Sequence, residues 1–90
     1  MKHVTVDRFW KSFNLLPLEI QKLAREKFIL FVNDPHHPSL RTRKMEGKEE
    51  IWEGHITQRY VFTFKYDVVE SETVIVSLDI GKHDDVYNDA

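Results

Sequence analysis

The chain has no cysteine among its 90 residues. A disulfide framework, a thiolate nucleophile and a thiolate metal site are therefore excluded. It also lacks an excess of either charge, with 13 Lys and Arg against 15 Asp and Glu and a net charge of −2. That near balance argues against a protein that coats nucleic acid by bulk charge alone. No apolar run approaches the roughly 20 residues that a membrane span needs. The opening MKHVTVDRFW has no apolar centre of the kind a signal peptide carries, so a cytoplasmic location is the expectation. There are no internal repeats, low-complexity segments or linkers. What is present is 41% hydrophobic and 31% charged residues, the balance of a folded domain rather than a disordered chain. A chain of this size implies one domain over residues 1–90, with a small core that tolerates few buried polar groups.

The strongest patterning lies in Ile51–Tyr66, IWEGHITQRYVFTFKY, which reads as two strands joined by a tight connection. Trp52, Gly54 and Ile56 alternate with Glu53, His55 and Thr57; Tyr60, Phe62, Phe64 and Tyr66 alternate with Arg59, Val61, Thr63 and Lys65. Period-2 alternation marks a sheet with one face on a core and the other in water. The aromatic set belongs to the core, and Glu53, His55, Arg59 and Val61 then share the solvent face, where a function is to be sought.

Around this hairpin the chain reads β-α-α-β-β-β-β. Val4 and Val6 mark a first strand, and Asp7 is placed to cap a helix carrying Phe9, Trp10 and Phe13. Leu16-Pro17 ends that helix and opens a second, about Leu18 to Val32, with Ile20, Leu23, Ala24, Lys27 and Phe31 as its inner stripe. Asn33-Asp34-Pro35 stops it, because the residue before proline is pushed out of the helical region. A strand LRTRKM, a turn at Glu46-Gly47, the hairpin, a turn near Glu70-Ser71-Glu72 and a strand Thr73–Ile80 follow. Gly81 is expected to break that strand, and His83 to Tyr87 to form a terminal turn or short helix. The fold class is α+β, a helical hairpin packed on an antiparallel sheet. Phe62, Phe64, Trp52, Ile56, Val76 and Leu78 are the expected core, and Trp10 joins them.

Three smaller signals each admit two readings. His36 and His37 beside Asp34 suggest a metal site or simply a proline-bounded loop. The basic strand of Arg41, Arg43 and Lys44, with Lys48 beyond it, either tracks a phosphate backbone or is a solvated strand face. The apolar end of the second helix, FILFV, is internal packing or, in part, a surface for a partner.

Taken in order and spacing, LPLEIQ, DPHHPSLRTRKMEG, IWEGHIT, YVFTF and IGKHDDVY resemble the RelE/ParE superfamily of toxin–antitoxin toxins, from about Phe9 to Tyr87. The resemblance implies a type II toxin, most often a ribosome-dependent endoribonuclease that cuts mRNA, with neither metal nor cofactor. A separate branch of the family poisons DNA gyrase, and a degenerate member would keep the fold and lose cleavage. Either kind of toxin is held inactive by a cognate antitoxin whose extended segment wraps it.

The resemblance places the active groove on the polar face of the hairpin and the C-terminal turn. Glu53 and His55 stand where ribonuclease members carry basic or acid/base side chains, His83 where members have an arginine or a catalytic histidine, and Tyr87 where a tyrosine stacks on or polarises the substrate. Val61 stands where the family favours an arginine against the scissile phosphate, and Arg59 lies one pleat away. Metal-free RNA cleavage needs a base for the 2′-hydroxyl, an acid for the leaving oxygen and a cation at the phosphate. His83 with Glu53 or His55 supplies the first two on this reading, and Arg41, Arg43 or Arg59 the third. Tyr87 stacks on a splayed base, and Lys44 extends the RNA-binding strand.

Overall fold

A computed structural model describes residues 2–47 and 50–89, with side chains through residue 86. Lys48 and the side chain of Tyr87, both singled out above, lie outside the described residues. The elements run β1 (Lys2–Thr5), α1 (Asp7–Asn14), α2 (Leu18–Asn33), a 3-10 turn (Pro38–Leu40), β2 (Arg43–Lys44), β3 (Ile51–His55), β4 (Tyr60–Val69), β5 (Glu72–Lys82) and α3 (His83–Asp89). The class is α+β, with one five-stranded sheet ordered β1-β5-β4-β3-β2. The sheet is not wholly antiparallel: β2 to β5 form the expected meander, but β1 pairs parallel to β5. Parallel neighbours need a long connection, and here α1, α2 and three strands separate the two.

The first helix starts one residue earlier than a capping Asp7 would allow. Asp7 is its first helical residue, and Val6 is the cap, with no side-chain bond. The sheet makes a side-chain cap unnecessary, because Val6 N donates to Ser77 O and Val6 O accepts from Phe9 N. Asp7 still suits the positive end of the helix dipole. The second helix begins after Pro17, whose carbonyl accepts from Ile20 N and Gln21 N, and Gln21 Nε2 reaches back to Leu16 O at 3.0 Å.

One face of the sheet packs on α1 and α2 through stacked and edge-on rings. Phe31 is its centre, with ring centroids 4.9 Å from Phe62, 4.8 Å from Phe64 and 5.5 Å from Phe28; Phe28 also lies 5.1 Å from Phe9. Gly54 makes room for this arrangement, since a Cβ there would sit 2.4 Å from Phe62 Cζ. The inner stripe of α2 is thus Ala24, Phe28 and Phe31 with Ile20, whereas Leu23 is exposed. Trp52 packs against the core, but Trp10, expected inside, is 51% exposed on the outer side of α1 against Phe9 and Phe13. Of the FILFV end, Phe31 is buried while Ile29 and Val32 are 67% and 52% exposed.

Two departures in β5 matter for the site. Gly81 does not break the strand, which runs on to Lys82 because Val61 and Tyr60 of β4 pair with Gly81 and Lys82. In addition, the β4–β5 register shifts at Thr63/Phe64, where Thr63 pairs with Asp79 and Phe64 with Ser77. Leu78 is the extra residue of this bulge. The shift puts Ile80 and Ile75 in one core cluster, and leaves Val76 and Leu78, both expected inside, only half-buried.

The opposite face of the sheet is not in water either. The short α3 packs across β4 and β5 and sets Val86 against Gly81, where an added Cβ would be 3.4 Å from Val86 Cγ2. Val86 of α3 is buried, as are Val61, Thr63 and Glu53 on the sheet. The shortened β2 has a local cause: Leu40 closes the 3-10 turn and Arg41 takes a left-handed conformation, φ 47° and ψ 48°, so extended backbone resumes only at Arg43. At the other end of the meander, Glu70 and Ser71 have φ of 51° and 67°. Positive φ at both central residues is the geometry of a type I′ hairpin, and the turn falls where it was expected.

Candidate functional site

On the second face a row of polar side chains crosses the sheet, because Arg43, Glu53, Thr63 and Asp79 are successive register partners on β2, β3, β4 and β5. The row ends at Arg8, whose Nη2 lies 3.2 Å from Asp79 Oδ2. Glu53 is its centre. The side chain is fully buried, and Oε1 accepts from Arg43 Nε at 2.8 Å. Its other oxygen, Oε2, is buried without a hydrogen-bond partner among the described residues, and lies 3.7 Å from His83 Nε2. That separation is too long for a hydrogen bond but close enough for an ion pair with a protonated ring. A buried carboxylate costs several kcal/mol in lost hydration unless it is paired, so two basic side chains converging on Glu53 belong to the logic of the site.

His55, one residue along β3 from Gly54, completes the cluster. Burial is the main cause that lowers its pKa below the usual histidine value; the Glu53 carboxylate raises it, the Arg41 and Arg43 guanidinium groups lower it, and a hydrogen bond to the Arg41 backbone raises it. Its Nδ1 is buried and has no hydrogen-bond partner among the described residues. The ring is therefore biased toward the neutral, proton-accepting form. The left-handed Arg41, which brings that backbone to His55, is the kind of local strain found at functional sites.

His83 starts α3, where its backbone N donates to Arg59 O at 2.9 Å. Its Nδ1 lies 3.7 Å from Oδ1 of the exposed Asp84. Arg59 is not on a strand: it sits in the Ile56–Arg59 bend, which the Thr57 hydroxyl shapes by accepting from Arg59 N and Tyr60 N. A shallow depression lined by Arg59, Lys82, His83, Asp84 and Asp85 opens beside the ring.

The structure thus brings together Glu53, His55, His83, Arg41 and Arg43, with Arg59 at the rim. It separates Lys44 from them. Lys44 pairs with Trp52 and places Nζ 5.7 Å from the centre of that ring, on the helix-packed face. Val61 lies between His55 and Gly81 in the register and is buried, so a long cation at 61 has no room beneath α3. The residue that sequence patterning missed is Asp79, which the bulge aligns with Thr63; alternation alone gives no sign of that register. His36 and His37 serve the fold. His36 hydrogen-bonds Thr42 Oγ1 and the Tyr66 hydroxyl and packs on Trp52, and His37 accepts from Ser39 N at the 3-10 turn. Among the described residues no group of three His, Cys, Asp or Glu side chains is arranged to hold a metal ion, and no helix is long and apolar enough to cross a membrane.

Neither a protein-family model nor a curated protein sequence matches the chain. Solved structures do. A YoeB/ParE toxin from Agrobacterium tumefaciens superposes with a TM-score of 0.71 at 15% identity, covering 92% of this chain and 99% of that one. YafQ from Escherichia coli gives 0.74 at 10% identity, covering 96% and 97%. The RelB–RelE antitoxin–toxin complex of Methanococcus jannaschii gives 0.70 at 15% identity, covering 94% and 95%. At such identities the likeness is one of fold: the chain has the fold of the RelE/ParE toxins, over nearly its whole length.

Proposed function

We propose, from that fold and from the groups gathered around Glu53, that this chain is the toxin of a type II toxin–antitoxin pair and cuts mRNA on the ribosome. The observation that carries the reading is the convergence of Arg43 and His83 on the buried Glu53 carboxylate, with His55 under the influence of that carboxylate and of Arg41. His55, held toward its neutral form, takes the proton of the 2′-hydroxyl. The 2′-oxygen then bonds to phosphorus, the bond to the 5′-oxygen breaks, and His83 delivers a proton to that leaving oxygen. Arg43 and Arg41 face the charge that develops on the phosphate, with Arg59 at the rim. Tyr87 is assigned an RNA contact by the resemblance alone, and Lys44 by the basic charge of its strand alone. The step needs no metal or cofactor.

The partner is an antitoxin, as the complexes of RelE with RelB and of YafQ with DinJ suggest. The exposed apolar side chains Trp10, Ile29 and Val32 on the helical hairpin supply surface for it. The buried Val61 favours a second reading, a non-cleaving member that keeps the toxin fold and binds its partner. Induction of the chain in growing cells, followed by mapping of mRNA 5′ ends, separates the readings. New ends within translated frames and arrested growth support the ribonuclease. Arrest with intact mRNA and broken or relaxed DNA points to gyrase, and neither effect points to the non-cleaving protein.

A further inference from the structure

We infer that Glu53 is a positioning residue: its buried carboxylate fixes the Arg43 guanidinium through Nε and the His83 ring through Nε2, so that a single anion sets the place of both. The role deepens the ribonuclease reading and rests on it. Glu53 is badly placed to touch substrate. Its side chain is fully buried, and Oε1 is already bonded to Arg43 at 2.8 Å. Mid-strand in β3, it is pinned between Arg43 of β2 and Thr63 of β4. Its two neighbours are different: the side chains of Arg43 and His83 are 64% and 39% exposed, so each carries a contact with the carboxylate outward to the surface.

The orphaned Oε2 is what separates this role from a plain structural ion pair. A carboxylate kept only for packing is replaceable by an apolar side chain of similar volume, often without loss of stability. An oxygen that is buried, unbonded and 3.7 Å from an imidazole nitrogen instead has that ring within ion-pair reach as its counterpart. The geometry also chooses between the ring nitrogens. Nε2 turns to Glu53, and Nδ1 turns away toward exposed Asp84, so Nδ1 is the nitrogen for substrate. A carboxylate that orients a catalytic imidazole in this way is a recurrent device.

The test compares wild type with Glu53→Gln, which keeps shape and removes charge. The activity-independent readout is the 15N–1H signal of Arg43 Nε and the ring signals of His83 in the free protein. Both are expected to move on substitution, the Arg43 Nε–H away from its position opposite a carboxylate. Cleavage of ribosome-bound mRNA is expected to fall about 10–100-fold, as for other orienting partners. That fall should vanish when Glu53→Gln is added to His83→Ala, because the two act as a unit. Signals of Arg43 and His83 unchanged in a folded Glu53→Gln protein overturn the proposal, whether or not the wild type cleaves RNA. A wild type that leaves mRNA intact while both signals move overturns the ribonuclease reading and keeps the positioning. Should Glu53→Gln not fold, Glu53→Asp carries the same readouts, with the charge kept but withdrawn by one methylene; wild-type signals there overturn the proposal equally.

Discussion

The two faces of the sheet are built on different principles. On one, α1 and α2 bury a continuous set of rings, Phe9, Phe28, Phe31, Phe62 and Phe64, in which most rings touch more than one other. On the other, a seven-residue helix covers a row of polar side chains, and the buried apolar side chains outside the ring cluster are Met45, Val61, Val74 and Val86 among the described residues. Aromatic contacts are redundant and carry stability, whereas a buried polar row adds little to stability even when it is fully paired. The comparison assigns folding to the helical face and chemistry to the other. It also explains why the polar face is closed: groups that must hold a defined geometry are held better by a dry environment than by water.

Substitutions break this contrast in a graded way. The largest effect belongs to the helical face, where Phe62→Ala removes a fully buried ring in contact with Phe28, Phe31 and Phe64. It should cost about 3–5 kcal/mol in urea unfolding, enough to threaten a chain of this size. Near-native stability would mean the ring cluster is not the core. A smaller loss, about 2–4 kcal/mol from overpacking and an unpaired buried charge, is expected for Val61→Arg. Position 61 is closed by α3, so the substitution should not enhance cleavage even though the resemblance implies an arginine there. Faster cleavage by a stable Val61→Arg protein would show α3 to be displaced in the working state.

The smallest effect is one of pH. His3 and His55 both have lowered pKa values, chiefly through burial; at His3 the N-terminal charge lowers it further and a hydrogen bond to the Val32 backbone raises it. Below about pH 6.5, the ordinary histidine value, the unfolded chain binds protons that the folded one resists. Stability contributed by the two rings is therefore present above that pH and lost as pH falls through their folded values. His3→Gln should flatten the acid limb of stability and leave cleavage alone; His55→Gln should flatten it and also remove activity. Equal slopes in wild type and both variants would count against burial as the cause.

The sequence is most readable where one signal dominates. Alternation at Tyr60–Tyr66 and the proline-bounded helix Leu18–Asn33 gave faces and boundaries close to those seen. Three features were hidden because they arise only between elements. The bulge at Thr63/Phe64 reverses which residues of β5 face the core without altering the alternation. The parallel pairing of β1 depends on the path of the whole chain. The cover over Val61 and Glu53 comes from α3, beyond the end of β5, so a strand with polar alternation looks solvated when it is not. At the site, residue types pointed to His55, His83 and the arginines, but only the register shows that Glu53 joins Arg43 to His83.

The central claim, that the polar face is a catalytic device and the helical face a scaffold, is tested most directly on His83. Its removal should touch function alone, since the ring is partly exposed and starts a helix rather than filling the core. Purified wild type and His83→Ala would be compared for cleavage of mRNA in a reconstituted translation reaction, with urea unfolding of each. The expected result is cleavage by the wild type, a fall of about 10²–10⁴-fold in His83→Ala, and stabilities within about 1 kcal/mol of each other. Cleavage by His83→Ala at the wild-type rate, or a wild type that leaves mRNA intact, would contradict it.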